Sequence, residues 1–179
     1  MPEAYISQVA NRLGALALTL ADDIREATEM ATGLAGGMPA ALVSLHEWAD
    51  GRSVDVLAYA MRVSHSRAVR VVDRLEADGL ARRESDPQDG RRALVRIEPA
   101  GRELAERALA ARQSVLERAV VGIEDPGELD RQLETLLFAT TVDVRAAMTT
   151  CRLCNARVCG HDEGLCPVTR AADRWRAPA

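Results

Sequence analysis

Apolar residues recur at helical spacing from the start of the chain. Ile6, Val9, Leu13, Leu16, Leu20 and Ile24 follow one another at intervals of three and four, which predicts a long first helix with heptad character. Such a stripe suits a core helix and, equally, a helix packed on a partner subunit. Gly33, Gly36 and Gly37 interrupt it. Pro39 fits the first turn of a second helix, which carries Leu42, Leu45 and Ala49 on one face and ends near Asp50-Gly51. Ser53 fits the N-cap of a short third helix with Val54, Leu57, Ala58 and Met61. After a tight turn at Arg62-Val63, Ser64 fits the N-cap of a fourth helix from about His65 to Asp78, stopped by Gly79.

Beyond Gly79 the period changes to two. Leu80–Ser85 and Arg92–Glu98 read as strands around the turn residues 86–90, with Ala93, Val95 and Ile97 on the inner face. Helical spacing resumes from Pro99 to about Val121 and breaks at Gly122–Gly127. It returns over Glu128–Thr149, where Leu129, Leu133, Leu136, Thr140, Val144 and Ala147 form a stripe. A cysteine-rich segment and a polar tail follow. The order helix, helix, turn, helix, hairpin predicts a winged helix-turn-helix, mainly α with a small β-hairpin wing (α+β). The expected division is an N-terminal dimerisation helix over 1–32, a DNA-binding domain over 38–98, C-terminal dimerisation helices over 99–150, a metal-binding segment over 151–167 and a tail over 168–179.

The fourth helix has two chemically distinct faces. Ala68, Val71, Val72 and Leu75 fall at i, i+3, i+4 and i+7 and define the buried side. The other side presents Ser66, Arg67, Arg70 and Arg74. A helix fits the major groove of B-DNA, where its N-terminal residues reach base edges. Arg67 and Arg70 are the expected base contacts, with Ser64, His65 and Ser66 beside them, and Arg74 the expected phosphate contact. A solvated charged face is the plain alternative. The hairpin favours DNA, because Arg91 and Arg92 stand at its tip and a narrow minor groove attracts inserted arginine. Asp89 is placed to steady the Arg91 guanidinium.

Charge supports one-sided contact. The net charge is −4, yet residues 1–50 hold two Arg against seven acids, while residues 62–92 hold eight Arg against six acids. All 23 basic residues are Arg, which suits phosphate and base-edge recognition. No signal-peptide pattern or membrane-length apolar run is present, so a cytoplasmic protein without a membrane partner is expected.

Three stretches carry a family resemblance. Val69 to Leu80 resembles the recognition helix and exit of the MarR family, Asp86 to Val95 its wing, and Pro99-Ala100-Gly101-Arg102 the start of its next helix. The likeness is specific over about residues 54–107. It implies a transcriptional regulator, most often a repressor, that dimerises through its terminal helices and reads a pseudo-palindromic operator in double-stranded DNA. It also implies that Asp89 and Arg91 are the family's wing pair, with Arg91 in the minor groove. Family members bind small aromatic effectors in a cleft between the dimer helices and the DNA-binding lobe. His46, Trp48 and Met61 are the candidates for such a cleft here, although ordinary core positions would explain them too.

The family pattern does not include the cysteines. Cys151, Cys154, Cys159 and Cys166 lie within sixteen residues, and Gly160 and Gly164 permit the turns that convergence needs. In a reducing compartment such a group reads as a metal site. Only the first pair is closely spaced and a proline follows the last Cys, which fits an iron–sulfur loop better than paired zinc knuckles. Zinc held by four Cys, or by three Cys and His161, is the alternative. A cluster at the end of a dimerisation helix would suit redox or iron sensing; zinc would suit a static brace. No catalytic constellation is present, so an enzyme is not expected. The competing classes are a metal-thiolate electron carrier and a scaffold that has lost DNA reading. The arginines of the wing and fourth helix disfavour both.

Overall fold

The computed structural model describes residues 3–90 and 92–175. Helix α1 (Glu3–Thr32) runs unbroken until Gly33, whose φ of 71° ends it in the left-handed region. Helix α2 (Met38–Ser44) continues into a π-helical turn over Leu45–Ala49. A two-residue strand β1 (Arg52–Ser53), not foreseen in the sequence, precedes α3 (Val54–Met61). Helix α4 (His65–Ala77) leads into strands β2 (Ala81–Ser85) and β3 (Ala93–Ile97). The antiparallel sheet has the order β1-β3-β2, with Val95 opposite both Arg52 and Arg83.

The core lies between α2, α3, α4 and the sheet. Leu42, Leu45, Leu57, Val72, Leu75 and Val95 are fully buried there. Each contributes about 1.5–3 kcal/mol relative to an exposed side chain. With few aromatic residues, this aliphatic packing holds the angle between α3 and α4. Helix α5 (Pro99–Val120) lies against α1 and α2. Its first turn sits so close to the end of α4 that only glycine fits at 101: a Cβ there would stand 2.1 Å from the Leu80 carbonyl oxygen.

The single helix expected over 128–149 is two helices, α6 (Pro126–Thr140) and α7 (Val144–Thr150). Local hydrogen bonds explain the break. The Thr140 and Thr141 hydroxyls donate back to the carbonyls of Leu136 and Leu137 at 2.8 and 2.7 Å. Asp143 then accepts from the Ala146 N–H at 2.6 Å and starts a new helix. A second correction concerns the tail. After a 3-10 turn at Cys151–Leu153, residues Pro167–Asp173 form helix α8, with Val168, Ala171 and Ala172 buried. Its core-forming residues are small, so it reads as polar in sequence.

Helix α1 buries only Thr28 and Thr32, and α6 buries nothing. Ile6, Val9, Leu13 and Leu16 on α1, and Leu133 and Leu136 on α6, stand exposed in the single chain. No helix among the described residues is long and apolar enough to cross a membrane.

Candidate nucleic-acid interface and thiol cluster

The turn between α3 and α4 is held by local bonds. Arg62 takes a left-handed conformation (φ 56°) and its N–H caps α3 through the Tyr59 carbonyl at 3.1 Å. Ser64 caps α4 as expected: its Oγ accepts from the Arg67 N–H at 3.3 Å and lies 3.2 Å from the Ser66 Oγ. His65 is drawn to α3, with Nδ1 2.7 Å from the Asp55 Oδ1. It therefore stitches the two helices together, a role the sequence did not reveal.

The structure divides the arginines near α4 into two groups. Arg83 on β2 is internal: its guanidinium reaches Asp73 at 2.9 Å and pairs with Glu76, while Glu76 also accepts the Arg83 N–H at 2.7 Å. Arg82 pairs with Glu84 and with Glu98 at 2.7 Å. Arg96 reaches Glu84 at 3.0 Å and Asp50 at 3.6 Å. The Glu84 carboxyl is held below the usual carboxylate range, first by the Arg96 hydrogen bond and then by that of Arg82. These pairs fix the wing to α4 and to the end of the π-helical turn. Arg67 and Arg70 are exposed and, among the described residues, make no ion pair. Arg74, also exposed, has only a long contact of 3.9 Å with Asp78.

At the hairpin tip, the Asp86 carboxylate accepts the Gln88 N–H at 2.8 Å and the Asp86 N–H donates to the Arg92 carbonyl at 3.0 Å. Asp89 lies 3.4 Å from the Arg92 Nε. Arg91 lies outside the described residues, so the expected Asp89–Arg91 contact does too.

A cavity of about 550 Å³ lies between α1, α5 and α4. Arg25, Arg67, Arg112 and Arg152 line it together with an apolar wall, and no acidic residue does. Met61 is on this wall as expected. His46 and Trp48 are not: they sit on the π-helical turn, and Trp48 packs against the core.

All four cysteines are free thiols in one neighbourhood. The Cys159 and Cys166 sulfurs are 3.4 Å apart, and Cys159 and Cys154 share a hydrogen bond. Cys151 is close enough to sense the charge of Cys166 and Cys159. Burial first, and those neighbours second, push its pKa up to about 12. Gly160, at φ 69°, closes the loop; a Cβ there would come within 2.9 Å of Leu165. His161 turns to Thr169, 2.9 Å from its Oγ1. Among the described residues no three His, Cys, Asp or Glu side chains stand ready-made around a metal ion. The thiols are neighbours without being a finished ligand sphere.

Comparison with known proteins agrees with the reading lobe and leaves the thiols unexplained. A family model described as MarR family matches residues 41–92. No curated protein matches the chain. A MarR family transcriptional regulator from Silicibacter pomeroyi is 32% identical, with 75% of this chain and 86% of that one covered and a TM-score of 0.58. CouR from Rhodococcus jostii, solved with p-coumaroyl-CoA bound, is 26% identical, covering 77% and 94%, with a TM-score of 0.62. A MarR family regulator from Streptomyces coelicolor, solved in complex with DNA, shares the fold at 22% identity and a TM-score of 0.64, covering 78% and 88%. With this fold and a relative of that identity aligned over most of its length, the chain belongs to the MarR family of transcriptional regulators.

Proposed function

We propose that the chain binds double-stranded DNA as a homodimer, with α4 in the major groove and the wing tip at the adjoining minor groove. The observation that carries this reading is the division of the arginines. Neighbouring guanidiniums are tied to carboxylates, whereas Arg67 and Arg70 face solvent from the N-terminal half of a capped helix. The exposed stripes on α1 and α6 support a homodimer, since contiguous apolar surface of this kind marks association. A dimer would read half-sites about one helical turn apart. Occupation of a promoter by such a dimer blocks transcription, so repression is the expected sign. The test is affinity for a duplex selected from a random pool. Arg67→Ala and Arg70→Ala should each cost about 1–3 kcal/mol and relax specificity at distinct positions. Wild-type affinity in the double variant would reject the assignment of α4.

The cavity supports a small-molecule effector with an apolar body and an anionic group, matched to lining side chains such as Leu20 and Ile24 and to the four arginines Arg25, Arg67, Arg112 and Arg152. Arg67 belongs to both cavity and reading helix, so an anion there would compete with DNA for the same guanidinium. Titration with an aromatic carboxylate, read as release of the selected duplex, tests this.

The four thiols are read as a metal site. Tetrahedral zinc with Zn–S of about 2.3 Å separates its sulfurs by about 3.8 Å. The 3.4 Å Cys159–Cys166 contact is near that spacing. In a [4Fe–4S] cluster each thiolate binds a different iron and the sulfurs stand farther apart, whereas a [2Fe–2S] centre carries two thiolates on each iron at a spacing close to that of zinc. The spacing therefore supports two thiolates on one metal, as in zinc or a [2Fe–2S] centre, over a [4Fe–4S] cluster; we take zinc as the reading to test. Metal analysis and the visible spectrum of anaerobically purified protein test it. Stoichiometric zinc and a colourless sample are expected; iron and sulfide would restore the cluster and the redox-sensing reading.

A further inference from the structure

We infer that the four-thiol centre is a staple between the DNA-reading lobe and helix α6, so that metal occupancy fixes the lobe against the dimer arm. The inference rests on the metal reading above and adds what the metal does.

The two halves of the cysteine segment are fastened to different elements. The first half, Cys151 to Ala156, is fastened to the reading lobe. Leu153 packs on its core. The Arg152 carbonyl accepts from the Ser44 Oγ at 3.3 Å, and the Ala156 N–H donates to the Glu47 carboxylate at 2.7 Å. The preceding helix α7 lies on α3, where the Thr149 hydroxyl donates to the Tyr59 carbonyl at 3.2 Å and Arg145 stacks 4.2 Å above the Tyr59 ring.

The second half is fastened to α6. Cys166 opens α8, which packs on α6. Arg174 sits 3.8 Å over the Phe138 ring and donates to the Phe138 carbonyl at 3.2 Å, and Arg170 reaches Glu134 at 3.5 Å. Helix α8 is the principal element of this chain packed against α6. Along the chain, α6 is joined to its neighbours only by the breaks at 121–125 and 141–143. Between the two fastened halves lies a glycine-turned loop; across space they meet where α8 also packs on α7, and sulfur to sulfur, Cys154 to Cys159 and Cys159 to Cys166. One ion bound by all four thiols would convert this chain of weak S–H contacts into coordinate bonds. It would stiffen the packed path α3–α7–α8–α6.

The experiment uses the reduced full-length protein, stripped with a chelator and reloaded with zinc. Bound zinc per chain tests the metal reading. Amide exchange over 126–140 and 167–173 tests the staple, together with affinity for the selected duplex and for versions with altered half-site spacing. Zinc should protect both segments and sharpen discrimination between spacings by about tenfold, with affinity for a single half-site unchanged. Cys166→Ser should behave as the stripped protein. Ala171→Glu, which undocks α8 without touching a thiol, should keep its zinc but lose protection in α6. Zinc bound with no change in α6 or in spacing preference overturns the staple and leaves the metal site standing. Wild-type α6 protection in Ala171→Glu also overturns it. Reduced protein that binds no zinc overturns both.

Discussion

The close contact of Gly101 with the end of α4 gives a quantitative test of how the wing is held. In Gly101→Ala the new Cβ would stand 2.1 Å from the Leu80 carbonyl oxygen and 3.0 Å from the Ile97 side chain. Real Cβ contacts are no shorter than 3.0 Å, so the carbonyl must retreat by about 0.9 Å. It is not free to do so, because it also accepts the Glu98 N–H at 3.0 Å. Forced overpacking of this kind costs about 1–3 kcal/mol. The helix preference of alanine returns about 1 kcal/mol. Taking the clash at the upper end, because backbone must move, the net loss is about 2 kcal/mol. That corresponds to roughly 4–8 °C in Tm for a domain of this size. Leu80 is where α4 hands the chain to the wing, so affinity for the selected duplex should fall as well. The assay is urea unfolding followed by circular dichroism at fixed protein concentration, because the stability of the proposed dimer depends on it. Gly14→Ala is the control: nothing lies within 4 Å of its Cβ position in α1, and it should stabilise by about 0.5–1 kcal/mol. A Gly101→Ala variant as stable as its parent would refute the claim that contact between α5 and Leu80 sets the wing.

Three further outcomes follow from the same geometry. Leu13→Glu with Leu16→Glu places charge in the exposed α1 stripe; sedimentation should show monomers, and affinity for a full palindrome should drop to that for one half-site. Glu76→Ala removes the acceptor shared by the Arg83 N–H and guanidinium; after allowance for partial exposure, the loss should be about 1–2 kcal/mol, and a double-mutant cycle with Arg83→Ala should be strongly non-additive. Acid should loosen the wing in a defined direction. The folded Glu84 pKa is depressed, so its stabilising effect is complete above the ordinary Glu value of about 4.3 and is lost as pH falls through the lower folded value. Amide exchange over 81–97 should rise in that window, and an identical profile in Glu84→Gln would exclude this carboxylate as the cause.

What could be read from the sequence was whatever depends on nearest neighbours along the chain. Periodicity and caps placed α1, α3, α4, both wing strands and α5 to within a residue or two, because Ser64, Gly79 and Pro99 act locally. The buried face of α4 followed from spacing alone. What was missed depends on partners distant in sequence or on competition between hydrogen bonds. Strand β1 is two residues long and exists only because Val95 lies beside it. Nothing in a leucine stripe reports that Thr140, Thr141 and Asp143 divide the helix that carries it. Sorting the arginines required knowing that Glu76 reaches from α4 to Arg83 and that Glu84 and Glu98 pair with arginines of the hairpin, and charge counting cannot separate Arg83 from Arg70.

Helix α8 shows the same limit with a larger consequence for function. Val168, Ala171 and Ala172 have little apolar surface between them, so segment 167–173 gives no hydrophobic signal and reads as a polar tail. It folds because α6 offers Phe138 and Glu134 to Arg174 and Arg170, and because Cys166 anchors its first turn beside Cys159. A helix of seven residues is too short to be stable alone in water. Its order must come from what it touches, and it touches α6, α7 and, through Cys166, the thiols. The cysteines, which the sequence presents as an appendage after the last helix, are therefore in the interior of a connection. That placement makes coupling between the thiols and α6 a structural expectation of this chain.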